Sequence, residues 1–248
     1  GFDSSIYHPL NKEERIKIRK ELFPDIEGIE YTFIVGMVAK NFFRKRWPEI
    51  FMAFADFNKF VCEKSMLMCY STNGFDLAGY DFEELTKTFG LSGKVSIIAD
   101  ENPLSDKKMN ELYNIMDVNA LISIGEGFGF PTLYASAAGI RTVVSDNSVH
   151  PSLIGYIPGM MVAESKHDPI IFAKDNNCIR YMPDSVQICK QINAIYENRE
   201  VSLSEDTRSL ISRATADNGL EWDFIVPQIK SLVKELLYLN SNEGMAEV

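Results

Sequence analysis

A chain of 248 residues, 46% of them hydrophobic and 11% aromatic, can bury a sizeable core as one large domain or two small ones. Its 25 basic and 35 acidic residues leave a formal net charge of −10, which argues against non-specific nucleic-acid binding and means that any anionic ligand needs a local basic patch. No apolar run reaches the roughly 18 residues of a membrane helix, and the opening residues carry no signal-peptide pattern.

The first ten residues, GFDSSIYHPL, read like a linker inside a longer protein, so an excised domain or a truncated chain is expected. From there apolar runs and helical patterns alternate. Residues 31–38 read as a buried strand, and 47–60 as a helix with Pro48 suited to its first turn. A strand is expected at 65–71, a helix at 81–91 capped by Gly90, and a strand at 94–98. Ser105 can cap a helix over 105–116. A strand at 119–124, a helix at 131–139 ended by Gly139, and strands at 141–146 and 159–164 follow. Beyond residue 182 the pattern is helical (184–198, 203–217 and 221–239), read as covering helices, and the last stretch, NSNEGMAEV, as a frayed tail.

Strands alternating with helices of this length imply right-handed βαβ units, a parallel sheet and a doubly wound α/β fold. Ligands of such sheets sit at the carboxyl ends of the strands, here the loops 37–46, 72–79, 99–104, 124–131 and 145–150. The four cysteines, Cys62, Cys69, Cys178 and Cys189, form no CxxC pair and fit no zinc site; they read as reduced, buried thiols of a cytosolic protein.

Two motifs in these loops carry chemistry. Glu126-Gly127-Phe128-Gly129-Phe130-Pro131 joins a strand to a helix. Its glycines allow a ligand to approach the backbone, and Pro131 pre-sets the helical turn. The free N–H groups of the helix start then make an anion site suited to phosphate, with Glu126 placed to accept from hydroxyl groups such as those of a sugar. The plain alternative is a strand-to-helix turn with a solvated Glu126. The second motif is the basic run Lys40, Arg44, Lys45 and Arg46, just before a helix start, where cations oppose the helix dipole. It reads as a diphosphate site, or as a solvated basic loop. Weaker candidates are His150, expected at the surface, and Gly74 in the turn STNGFD (71–76); His8 and His167 show no partner. No GxGxxG follows the first strand and no P-loop exists, which weakens a nicotinamide or flavin reading.

At this point the chain resembles the C-terminal, donor-binding domain of family 4 retaining glycosyltransferases, which have the GT-B fold. The stretches that carry the likeness are GFDSSIYHPL, IVGMVAKNFFRKRWPEIFMAFADF, GLEWDFIVPQIKSLVKELL and, most specifically, EGFGFPTLYASAAGIRTVVSD. The resemblance implies a linker and leading helix at 1–28, a Rossmann-like nucleotide-sugar-binding domain at 29–240, a tail at 241–248, and an N-terminal acceptor domain absent from this chain. It implies transfer of a hexose from a nucleotide-diphosphate sugar to an acceptor hydroxyl with retention, without metal or cofactor, in the cytoplasm. Peripheral membrane contact, if any, would come through the absent domain.

Carried over position by position, Lys45 takes the lysine position that stabilises the leaving diphosphate. Lys40 is the second basic candidate and Arg44 the runner-up, because Met37 follows Gly36 where the family often has arginine. Glu126 would contact donor-sugar hydroxyls, and backbone N–H groups from Gly127 to Phe130, with Gly36, Phe128, Gly129 and Pro131, would line the donor site. The second motif glutamate is replaced by Tyr134, which implies altered nucleoside recognition, since one hydroxyl cannot accept as a carboxylate does. Two other readings stand beside this one: an inactive nucleotide-sugar-binding module, and a non-hydrolysing sugar-nucleotide epimerase with His150 as its one nearby acid/base group.

Overall fold

The computed structural model describes residues 1–71, 79–99, 102–172 and 177–243. Six strands, β1 (Phe33–Val38), β2 (Ser65–Ser71), β3 (Val95–Ala99), β4 (Val118–Leu121), β5 (Thr142–Ser145) and β6 (Met160–Ala163), pair in parallel in the order β3-β2-β1-β4-β5-β6. This is the doubly wound α/β sheet expected. β1, β2, β4 and β5 are buried along their whole length, so their sequences read as nearly continuous apolar runs.

Helices α1 (Lys12–Leu22), α4 (Asp106–Asn114) and α5 (Phe130–Ala137) cover one face of the sheet, and α2 (Trp47–Phe60), α3 (Phe82–Thr88) and α7 (Ser185–Glu197) the other. The period of two along β1 divides it between two cores. Phe33, Val35 and Met37 join Trp47, Phe51, Phe54 and Phe57 of α2 and Ile188, Ile192 and Ile195 of α7. Ile34 and Val38 join Tyr113, Met116 and Leu133. Gly36, a donor-binding candidate from sequence, lies between them in mid-strand. A Cβ there would collide with the Met116 side chain, so its bareness serves packing and not a ligand.

Every strand and helix expected before residue 165 is present, with ends shifted by a few residues. Residues 165–183 had no expected element. They form an antiparallel hairpin, β7 (Ser165–Phe172) with β8 (Cys178–Pro183), whose register shifts between Ser165 and Pro169. The hairpin lies largely outside the core, with Ile171 and Ile179 exposed, so burial left no clear pattern in its sequence. A short α6 (His150–Leu153) follows β5, and after the hairpin come α7, α8 (Arg199–Ser202), α9 (Glu205–Asp217) and α10 (Trp222–Glu243). The backbone of α10 continues through residue 243, where a frayed tail was expected. The turn with Gly74, residues 72–78 of the second candidate loop and residues 100–101 of the third lie outside the described residues. All four cysteines are free thiols, but Cys178 and Cys189 are only half-buried.

Two ties hold the ends of the fold. Phe2 donates its N–H to Leu220 O (3.0 Å) and accepts from Trp222 N–H (2.9 Å), so the start of the chain is bonded to the start of α10. At the amino edge of the sheet, Arg19 of α1 is buried. Its guanidinium donates to Ile115 O (2.9 and 2.7 Å), Thr32 O (3.0 Å) and Asp117 Oδ2 (2.9 Å). Asp117 Oδ2 also accepts from Ile34 N–H at 2.7 Å, which locks β1 beside β4. Removing one partner of such a pair leaves a buried charge uncompensated. Asp117→Ala should therefore cost about 3–5 kcal/mol in urea unfolding; a loss below about 1 kcal/mol, the range of an exposed pair, would show that the tie does not hold the sheet.

Candidate functional site

In this strand order the chain leaves β1 for β2 on one side and β4 for β5 on the other. The loops that follow these two central strands diverge, and a crevice opens at their carboxyl ends. The basic run and the glycine motif lie in these two loops. Their backbones continue the pairing of the strands: Arg46 N–H donates to Ile122 O (3.1 Å) and Ile124 N–H to Arg44 O (3.0 Å). Serines at the strand ends fix the rest. Ser123 Oγ donates to Gly125 O (2.9 Å), and Ser148 Oγ to Glu126 O (2.7 Å) while accepting Glu126 N–H (3.2 Å).

This frame brings Glu126, Lys45 and Arg44 together. The Glu126 side chain is 7% exposed, not solvated as the plain reading of the turn would have it. Lys45 is equally buried and its ammonium donates to Glu126 Oε1. Arg44 donates to the same oxygen at 3.2 Å and to Gly125 O at 2.5 Å. Burial pushes the Lys45 pKa down, Glu126 pushes it back up, and Arg44 adds a smaller lowering. The site thus holds two cations on one carboxylate. Arg46 stands apart, bound to Glu49 and to the Tyr80 hydroxyl (3.0 Å), and serves the start of α2. Lys40 is exposed and in no ion pair with a described residue, so the structure leaves it outside the cluster.

Gly129 precedes α5 in the left-handed region (φ +79°), as a turn this sharp demands. No side chain caps the helix, Pro131 has no N–H to offer, and among the described residues nothing accepts from the N–H groups of Gly127, Phe128, Gly129 and Phe130. Four free donors at a helix start, beside two cations, form a place for an anion.

His150 was expected at the surface and is fully buried, 0% exposed. Its Nδ1 lies 3.0 Å from Ser145 O, while Nε2 has no partner among the described residues and faces Gly129 from below, where a Cβ would stand 3.3 Å away. Burial lowers its pKa, outweighing the Ser145 carbonyl and Glu126, which raise it. A neutral imidazole with Nδ1 protonated fits these contacts.

Tyr134 lies one turn into α5 and is half-buried. Its ring stacks on Tyr7 (4.4 Å between centroids, 9° between planes) and on Phe130 (5.8 Å), and burial raises its pKa. Among the described residues its hydroxyl has no hydrogen-bond partner. Ser123, Ser145 and Ser148 escaped the sequence reading, although Ser123 and Ser145 stand at the ends of apolar runs and Ser148 in the loop that follows.

No family model matches the sequence, and neither does any curated protein sequence. Solved structures do. A crevice of this kind at the switch point of a six-stranded parallel sheet is typical of the doubly wound class of α/β fold. Within it, the chain has the fold of the GT-B glycosyltransferases, and of their C-terminal half. It superposes on Anabaena Alr3699/HepE in complex with UDP and glucose with a TM-score of 0.69 at 17% identity, over 95% of this chain and 55% of that one. It superposes on a glycosyltransferase from Rickettsia africae with a TM-score of 0.71 at 14% identity, over 96% and 56%. The C-terminal domain of the glycosyl transferase group 1 family protein LpcC from Francisella tularensis matches with a TM-score of 0.57 at 18% identity, over 88% of this chain and 96% of that domain. The chain spans about half the length of the first two. Among the described residues no helix is long and apolar enough to cross a membrane, and no group of three His, Cys, Asp or Glu residues is placed to hold a metal ion.

The buried His150 gives a pH dependence. Its pKa is lowered on folding, so between the folded value and the free value of about 6.5 the unfolded chain binds the extra proton. Stability should fall as pH drops below about 6.5, by at most about 1.4 kcal/mol per pH unit from this group, until the folded value is reached. Urea unfolding at pH 7.5 and 5.5 should show a larger acid-side loss for the wild type than for His150→Gln; equal losses would place the imidazole in water.

Proposed function

We propose that this chain is the donor-binding half of a retaining, cytoplasmic glycosyltransferase that moves a hexose from a nucleoside-diphosphate sugar to an acceptor hydroxyl. The observation that carries the reading is the meeting of Lys45, Arg44 and Glu126 with the uncapped start of α5 in one crevice. HepE, which shares the fold, was solved with UDP and glucose and with UDP-glucose.

In this reading the diphosphate lies against the N–H groups of Gly127 to Phe130 and draws Lys45 and Arg44 partly away from Glu126. Glu126 then accepts from sugar hydroxyls. As the bond between the anomeric carbon and the β-phosphate oxygen breaks, its electron pair stays on the phosphate, while the acceptor oxygen bonds to that carbon from the same face and its proton passes to the departing phosphate. Lys45, Arg44 and the helix start stabilise that growing charge. Lys40, from the carboxyl end of β1, is a further cation within the same loop. The charge is balanced by side chains and backbone, so the proposal calls for no metal or cofactor.

The acceptor would be held by a second domain. Two facts support one: the chain spans about half of the HepE and Rickettsia proteins, and α10 exposes an apolar row, Trp222, Val226, Ile229, Val233 and Leu237, at helical spacing.

Titration of UDP, GDP and ADP into the protein should raise its melting temperature with at least one of them. At about a hundred times the dissociation constant the shift should be about 5–10 °C. Lys45→Ala should abolish most of it, and Glu126→Ala should remove the added shift from the sugar-bearing nucleotide more than that from the bare diphosphate. No shift with any of the three would sink the reading.

A further inference from the structure

We infer that His150 is a proton-linked cation of the crevice: neutral in the free protein, it takes up a proton from solvent at Nε2 when the diphosphate of a sugar nucleotide lies on the turn above it. The inference rests on the reading of that crevice as a donor site. His150 opens α6, and the loop after β5 tucks it beneath the glycine motif. Within that loop Ser148 takes a left-handed conformation (φ +57°), and the His150 N–H donates to Asn147 O at 3.3 Å. The same loop reaches upward through the Ser148 hydroxyl, which bonds both Glu126 O and the Glu126 N–H. One short loop therefore fixes the backbone of the carboxylate and the position of the imidazole.

With Nδ1 donating to Ser145 O at 3.0 Å, the neutral ring carries a bare lone pair on Nε2. That nitrogen is buried and finds no partner among the described residues. It faces Gly129, where a Cβ would stand 3.3 Å from Nε2 and 3.2 Å from Leu121 Cδ2. Because this position is glycine, only main chain separates the imidazole edge from the free N–H groups of the turn. A buried nitrogen without a partner costs stability, and an aliphatic side chain carries no such cost. What histidine alone adds is a second proton near neutral pH. Burial holds the ring neutral, the Ser145 carbonyl and Glu126 favour the proton, and Lys45 opposes it. Leu121 and Gly129 beside it add no charge. A diphosphate resting on the turn brings a negative charge on each phosphate to the far side of Gly129. With little water between, that attraction favours the imidazolium.

The protein has three histidines, so the His150 ring can be followed by NMR as pH is varied. The titration is run on the full chain, free and saturated with whichever of UDP-glucose, GDP-glucose and ADP-glucose the wild type binds. Both phosphates of these ligands are substituted on two oxygens, so each keeps one charge and the ligand does not titrate near neutral pH. The His150 resonance should titrate at higher pH in the complex than in the free protein. Calorimetric affinity should rise accordingly as pH falls from 7.5 to 6, by at most about tenfold per pH unit for one proton. His150→Gln, with no proton to take up, should flatten that profile and lose affinity mainly at the acid end. The resonance is read in the wild type, so it decides the matter even if the variant does not fold. An unchanged His150 titration on saturation, or the same acid-side gain in His150→Gln, would overturn the inference and leave the donor reading standing. Absence of binding of all three ligands by the wild type would overturn both.

Discussion

A lysine buried as deeply as Lys45 is tenable only beside a buried carboxylate, and the architecture of the site follows from that requirement. Its partner, Glu126, is 81 positions away in sequence. The two meet because β1 and β4 are neighbours whose chains depart in opposite directions, leaving two loops face to face at one end of the sheet. At the other end Asp117 joins the same two strands through Arg19 and the Ile34 N–H. The central pair of strands is thus fastened below by one buried ion pair and above by another. The lower one is held by five hydrogen bonds to backbone and side chain. The upper one retains a second cation and free backbone donors, and this imbalance makes it a site and not merely a clasp.

What could be read from sequence was what is local. The turn at Gly129 and the helix start at Pro131 follow from the backbone freedom of glycine and the fixed φ of proline, and both are where the motif put them. The strands could be read because burial on both faces leaves long apolar runs. The misread residues depended on what lay across from them. His150 looks like a surface histidine among polar neighbours, but Gly129 and Ser145 roof and anchor it. Gly36 looks like a ligand-facing glycine until Met116 is seen filling its space. Lys40 and Lys45 are equally basic in sequence, yet one is exposed and the other buried, and only the direction of the loop decides between them. The hairpin was invisible because an element outside the core need not alternate cleanly between apolar and polar residues.

The resemblance in sequence expects a carboxylate where this chain has Tyr134. In the fold it has a structural part, between Tyr7 of the opening segment and Phe130 at the helix start. Aromatic pairs of this geometry contribute about 0.5–1.5 kcal/mol beyond their burial. The stack therefore ties the segment that leads into the domain to the helix whose free end faces the crevice. A smaller acidic side chain could not do this, so at this position the tyrosine has a packing part at the edge of the crevice.

The bonds between Phe2 and the residues around Trp222 have a mechanical meaning. The opening segment and the start of α10 are zipped together at one point by two backbone hydrogen bonds. Anything joined at that point would pull on both segments together and not across the sheet.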